Sequence, residues 1–145
     1  MKEIFGELWS YFAKPSTTVL ITTNGTITKD GKCVMGRGCA AQAKVRFPGI
    51  DAELGRRIAA NGNVMLPLEA GLIYSFPTKH NWYEKADLTL IAQSARQLAN
   101  LAVFDRPSGI YILPRPGCNN GRLRWEEVKP VIAFLPDNVW VITNG

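Results

Sequence analysis

Short apolar runs rich in β-branched residues alternate along this chain with segments of helical periodicity, and that alternation most narrows its fold. The run Thr17-Thr18-Val19-Leu20-Ile21-Thr22-Thr23 stops at Asn24-Gly25 and reads as a buried strand ending in a turn. Cys39 to Phe47 follows, with Ala40, Ala43 and Phe47 at helical spacing, and halts before Pro48-Gly49. Asp51 to Ala60 reads as a second helix, ending near Asn61-Gly62. Leu72 to Phe76 is the next strand, closed by Pro77. Asp87 is placed to cap the clearest helix, about Asp87 to Phe104, whose Leu88, Ile91, Leu98, Leu101 and Ala102 outline an apolar face. Gly109 to Leu113 is a short strand. A helix around Glu126 to Phe134, which Pro130 must begin or disturb, precedes a closing strand, Val139 to Ile142. An earlier strand is expected within Met1 to Trp9. Strands alternating with helices predict an α/β layer structure on a mostly parallel sheet.

A length of 145 residues, 46% hydrophobic and 20% charged, suits one domain spanning 1–145 with a core of its own. That excludes a disordered tail, a collagen-like fibre and a multi-domain machine. No apolar run approaches a membrane span, and no export signal is visible, so no membrane partner is expected. Cys33, Cys39 and Cys118 are an odd, sparse set, and with a single histidine they cannot supply a typical zinc quartet. The expectation is a reduced, cytoplasmic protein with no metal and no cofactor. A net charge of +5 favours anionic partners such as nucleotides or nucleic acid, although scattered basic residues equally serve solubility.

In sheets of this kind ligands sit beyond the carboxyl ends of the strands, which directs attention to three exit loops. In the first, Asn24 to Gly38, the glycines Gly36 and Gly38 would let backbone N–H groups approach a phosphate at a helix N-terminus. It matches neither the P-loop nor the dinucleotide fingerprint, and alone it is equally a surface loop. The second, Pro77 to Trp82, gathers Lys79, His80, Asn81 and Trp82; an amine there is a nucleophile if burial lowers its pKa. The third runs from Pro114 to Leu123, and its Gly117 and Gly121 bracket two asparagines, which suits an anion nest. Asn120-Gly121 equally suits a hairpin turn. Two glycine loops at strand exits fit the two phosphates of a pyrophosphate.

The order Asn24-Gly25, Gly31, Val34-Met35-Gly36-Arg37-Gly38, Ala40 and Phe47-Pro48-Gly49 resembles the first half of a macro domain. Ser75-Phe76-Pro77-Thr78-Lys79 and Pro116-Gly117-Cys118-Asn119-Asn120-Gly121, with Leu123 to Trp125, resemble the second half. The chain is most similar to the branch of DNA ADP-ribosyl glycohydrolase antitoxins and terminal ADP-ribose glycohydrolases. The resemblance implies a three-layer α/β/α sandwich with a mixed sheet and an ADP-ribose ligand. By the same resemblance Glu7 and Leu8 lie at the adenine, Asn24 faces the distal ribose, and Val34, Met35, Gly36, Arg37, Gly38 and Ala40 form the first phosphate loop. Pro116, Gly117, Cys118, Asn119, Asn120, Gly121, Arg122 and Leu123 form the second. Lys79 matches the lysine that these glycohydrolases use in catalysis. The terminal ADP-ribose glycohydrolases carry aspartate where this chain has Gly121, whereas the DNA-directed antitoxins carry glycine there. The antitoxins commonly have glycines where Asn119 and Arg122 stand.

The expected function is therefore a hydrolase removing ADP-ribose from a modified macromolecule, with Lys79, Asn24 and His80 as catalytic candidates and a nucleic-acid strand as a candidate carrier. Trp82, Tyr83 and Trp125 are candidates to stack on a base, although tryptophan more commonly packs under a sheet. Three other readings use the same residues: a phosphatase acting on ADP-ribose-1''-phosphate with His80 moving a proton, a non-catalytic ADP-ribose-binding module, and a Cys118–His80 hydrolase.

Overall fold

The computed structural model describes residues 1–144; Gly145, the last residue of the expected 1–145 domain, lies outside them. The strands are β1 (Lys2–Phe5), β2 (Thr17–Asn24), β3 (Pro67–Leu68), β4 (Ile73–Lys79), β5 (Ile110–Pro114) and β6 (Val139–Thr143). The helices are α1 (Gly38–Arg46), α2 (Ile50–Asn61), α3 (Leu88–Asn100) and α4 (Trp125–Ile132). One six-stranded sheet has the order β1-β6-β5-β2-β4-β3, with only β3 antiparallel to its neighbour. The sheet is thus mixed and mostly parallel.

Side chains alternate across each strand, so a sheet with apolar residues at successive positions needs cover on both faces. Val19 and Ile21 of β2 pack with Ala40, Ala43, Leu54 and Ile58 of α1 and α2. Leu20, between them in sequence, packs on the other face with Ile91, Leu98 and Val128 of α3 and α4. This makes the three-layer α/β/α sandwich. Phe76 and Tyr111 are fully buried on the α3 side, each worth roughly 1.5–3 kcal/mol of hydrophobic stabilisation.

Asp87 caps α3 as expected, its Oδ1 accepting from Thr89 N–H at 2.8 Å. The helix stops at Asn100 and continues as a wide π turn, Leu101–Asp105, which covers the expected reach to Phe104.

The earlier strand expected within Met1 to Trp9 is Lys2–Phe5, followed by a 3₁₀ turn at Leu8–Tyr11. Two other expectations are corrected. Pro77 does not close β4, which runs on to Lys79. The reason lies in strand alternation: Ser75 N–H donates toward Leu66 on the β3 side, so Pro77, two residues on, faces the same edge. The short β3 no longer covers that edge, and the missing N–H breaks no ladder bond. Pro130 lies inside α4. Pro130 and Glu126 are both exposed, so the carbonyl that lacks its N–H donor is left to water.

The parallel arrangement brings Asn24, Lys79 and Pro114, the last residues of β2, β4 and β5, to one edge of the sheet. No described helix is long and apolar enough to cross a membrane.

Candidate functional site

At that edge a cleft of about 340 Å³ opens between the first and third exit loops. Asn24, Val34, Met35, Gly36, Arg37, Gly38 and Ala40 line one side. Gly117, Cys118, Asn119, Asn120 and Gly121 line the other, with Lys79 between.

Asn24 holds the first loop open. Its Nδ2 donates to Val34 O at 2.9 Å and its Oδ1 accepts from Thr26 N–H at 3.0 Å. A small hairpin, Thr28 to Lys32, sits on α2, where Gly55 lies directly against the Gly31 carbonyl. The loop then enters α1 with no side-chain cap. Gly38 and Cys39, in its first turn, line the cleft, so helix N–H dipoles face an incoming anion. At Gly36 an added Cβ would meet nothing within 4 Å, and the bare backbone is open to close approach.

The third exit loop is packed rather than open. Gly117 has φ +76°, a left-handed conformation that favours glycine. Its carbonyl accepts from Leu123 N–H at 2.9 Å, and Gly121 O accepts from Ala86 N–H at 3.0 Å. A Cβ on Gly121 would stand 2.5 Å from the Gly117 carbonyl oxygen, so the two glycine backbones touch. Asn120 reaches toward the first loop: a Cβ on Gly38 would lie 2.9 Å from Asn120 Nδ2.

Lys79 ends β4, in register with Asn24 of the adjacent strand. Its Nζ donates to Asn120 O at 3.0 Å and to Trp82 O at 3.3 Å. Burial holds its pKa below the ordinary lysine value, and the Arg122 and Arg37 guanidinium groups push the same way. A neutral amine has two N–H bonds and one lone pair, so two carbonyl acceptors would leave the lone pair free for an electrophile.

The structure does not bring His80 into this group. His80 is exposed, lies outside the cleft lining, and its Nε2 is 2.8 Å from Asp87 Oδ2. Cys118 lines the cleft, but burial pushes its thiol up to about 11. With His80 tied to Asp87, the Cys118–His80 hydrolase has no activating partner here. Pro116 is buried and lines neither space, and Arg122 is exposed, its charge acting on Lys79.

Glu7, Leu8 and Leu123 line a second compartment of about 700 Å³. Gly38, Cys39, Pro114, Arg115, Cys118 and Asn119 border both spaces, so cleft and groove adjoin. The expected site residues thus fall along one path, except His80, Pro116 and Arg122. Sequence reasoning did not single out Thr22 and Thr23, just before Asn24 in β2, or Thr78, just before Lys79 in β4, which also line the cleft. Thr23 Oγ1 is buried there without a hydrogen-bond partner among the described residues. Carrying the strand-exit rule a residue or two back into β2 would have found Thr22 and Thr23, while Thr78 already lay within the second exit loop. No cluster of three His, Cys, Asp or Glu side chains suited to a metal occurs among the described residues.

No protein-family model matches the sequence, and no curated protein matches it. Solved structures do. The macrodomain of Mycobacterium tuberculosis DarG superposes with a TM-score of 0.72 at 25% identity, over 94% of this chain and 92% of that one. The macrodomain of Thermus aquaticus DarG gives 0.72 at 25% identity, over 98% and 97%. Thermosipho africanus DarTG in complex with ADP-ribose gives 0.73 at 19% identity, over 97% of this chain; the chain spans 41% of that one. With its helix-flanked mixed sheet and the glycine loops at one edge, this chain has the macrodomain fold.

Proposed function

We propose that this macrodomain binds ADP-ribose along the path from groove to cleft and removes it from a modified macromolecule, with Lys79 as the attacking group. The observation that carries the reading is the pair of bonds from Lys79 Nζ to the Asn120 and Trp82 carbonyls, beside two arginines that oppose its protonation. The likeness to DarG macrodomains, and to a DarTG structure holding ADP-ribose, supports the ligand. In this reading the uncapped α1 and the Gly117–Gly121 loop receive its diphosphate, and the groove its adenosine.

In this reading the Lys79 lone pair bonds to the anomeric carbon of the distal ribose. The bond from that carbon to the acceptor breaks, and its electron pair leaves with the acceptor, which takes a proton from the newly formed ammonium. Water then displaces the amine, releasing free ADP-ribose and restoring Lys79. His80 has no part in it, because its ring is engaged outside the cleft. The net charge of +5 favours an acceptor carried on a nucleic-acid strand.

The test is incubation with a thymidine-ADP-ribosylated oligonucleotide, following free ADP-ribose by mass spectrometry, with Lys79→Ala in parallel. Release by the wild type alone supports the hydrolase and its lysine. No release from a protein that binds ADP-ribose in the same sample reduces the function to binding or moves it to another linkage.

A further inference from the structure

One side-chain cluster reaches the border of cleft and groove through Arg115 and has no part in the chemistry above. Glu3, on the edge strand β1, accepts from Trp125 Nε1 at 3.1 Å. Its carboxylate also faces Arg115 Nη2 at 3.6 Å and Lys129 Nζ at 2.6 Å. The Arg115 guanidinium in turn lies 4.8 Å over the Trp125 ring.

Two of these groups face the ligand path. Arg115 borders both compartments, and Trp125 lines the groove. Glu3 and Lys129 line neither. A long arginine beside an open groove would otherwise sample many rotamers, and each would be lost on binding. Glu3 below and the indole face alongside remove that freedom beforehand.

We propose that Glu3 is a positioning residue for nucleotide binding: it fixes Arg115 and Trp125 as a cationic and aromatic wall where the base-bearing half of the ligand meets its diphosphate. The inference rests on the ADP-ribose reading above and extends it to a residue on the opposite side of the chain's sequence. The Lys129 hydrogen bond holds the Glu3 carboxyl below its ordinary value, against a smaller opposing effect of burial.

The test is isothermal titration of ADP-ribose into the wild type, Glu3→Ala, Glu3→Gln and Lys129→Ala, with a melting temperature for each. Lys129→Ala breaks the shortest Glu3 pair yet leaves Arg115 and Trp125 held, so it isolates plain structural stabilisation. Glu3→Ala is expected to weaken ADP-ribose about tenfold while Lys129→Ala stays within about twofold. Glu3→Gln keeps an acceptor for the indole and loses the charge, so it falls between, and it replaces Glu3→Ala if that variant does not fold. Unchanged affinity in the Glu3 variants overturns the inference, as does an equal loss in Glu3→Ala and Lys129→Ala that tracks their melting temperatures. A wild type that binds no ADP-ribose overturns the ligand reading itself, and the inference with it.

Discussion

Gly121 packs backbone to backbone on Gly117: a side chain at Gly121 would begin 2.5 Å from the Gly117 carbonyl oxygen and 2.7 Å from its α-carbon. Neither neighbour is a flexible side-chain end, so the contact has no easy relief. The glycine at this point is a packing requirement of the nest, independent of any catalytic role for the position. Gly121→Ala is expected to lower stability by about 1–3 kcal/mol through overpacking and to weaken ADP-ribose with it. Gly121→Asp, which installs the residue of the terminal ADP-ribose glycohydrolases, is expected to lose binding rather than gain their activity. Thermal unfolding and calorimetric titration of both variants check this; an aspartate variant that folds, binds and turns over faster would refute it.

Lys79 is expected to separate binding from chemistry. Lys79→Ala should keep ADP-ribose within a few-fold and lose turnover, because its amine bonds to loop carbonyls and not to loop N–H groups that would face phosphate. Equal loss of affinity and turnover would make it a binding residue.

The pH profile carries the same claim further. A nucleophilic amine works in its neutral form, so the rate should rise with pH, with a midpoint below the ordinary lysine value of 10.5. Burial is the main cause and the Arg122 charge the next. Arg122→Gly removes that charge, so the midpoint should move up and the rate at neutral pH should fall. Arg122 also holds a left-handed backbone, φ +63°, where glycine carries no such strain. The same variant should therefore fold at least as well as the wild type, which separates a lower rate from a damaged loop. A midpoint that does not move sinks the electrostatic role of Arg122.

Much of this was legible in local sequence. Asn24-Gly25 marks a strand exit because turn chemistry is local, and Asp87 caps α3 because capping involves only the next few residues. Pro77 and Pro130 misled because their local rule depends on what lies opposite each missing N–H, an uncovered sheet edge for one and solvent for the other. His80 misled because a strand-exit position does not fix a side-chain direction; Asp87, seven residues on, does. The Glu3–Trp125 bond joins residues 122 apart, and only the order of strands across the sheet puts them together.

His80 and Asp87 give the remaining prediction. Their pair sits at the start of α3, outside the cleft, so His80→Ala should leave turnover within about threefold of the wild type. Asp87→Ala should cost about 1 kcal/mol through the lost N-cap. The His80 hydrogen bond is the main cause that holds the Asp87 carboxyl below its ordinary value of 3.8. A carboxyl depressed in the folded state stabilises the fold fully above the unfolded value and loses that contribution as pH falls through the folded one. The wild type and Asp87→Ala should therefore differ in melting temperature at pH 6 and converge as pH falls below 3.8 through the lowered folded-state value. A turnover loss in His80→Ala comparable to that of Lys79→Ala would return the histidine to the chemistry, and with it the phosphatase reading that needs a proton carrier.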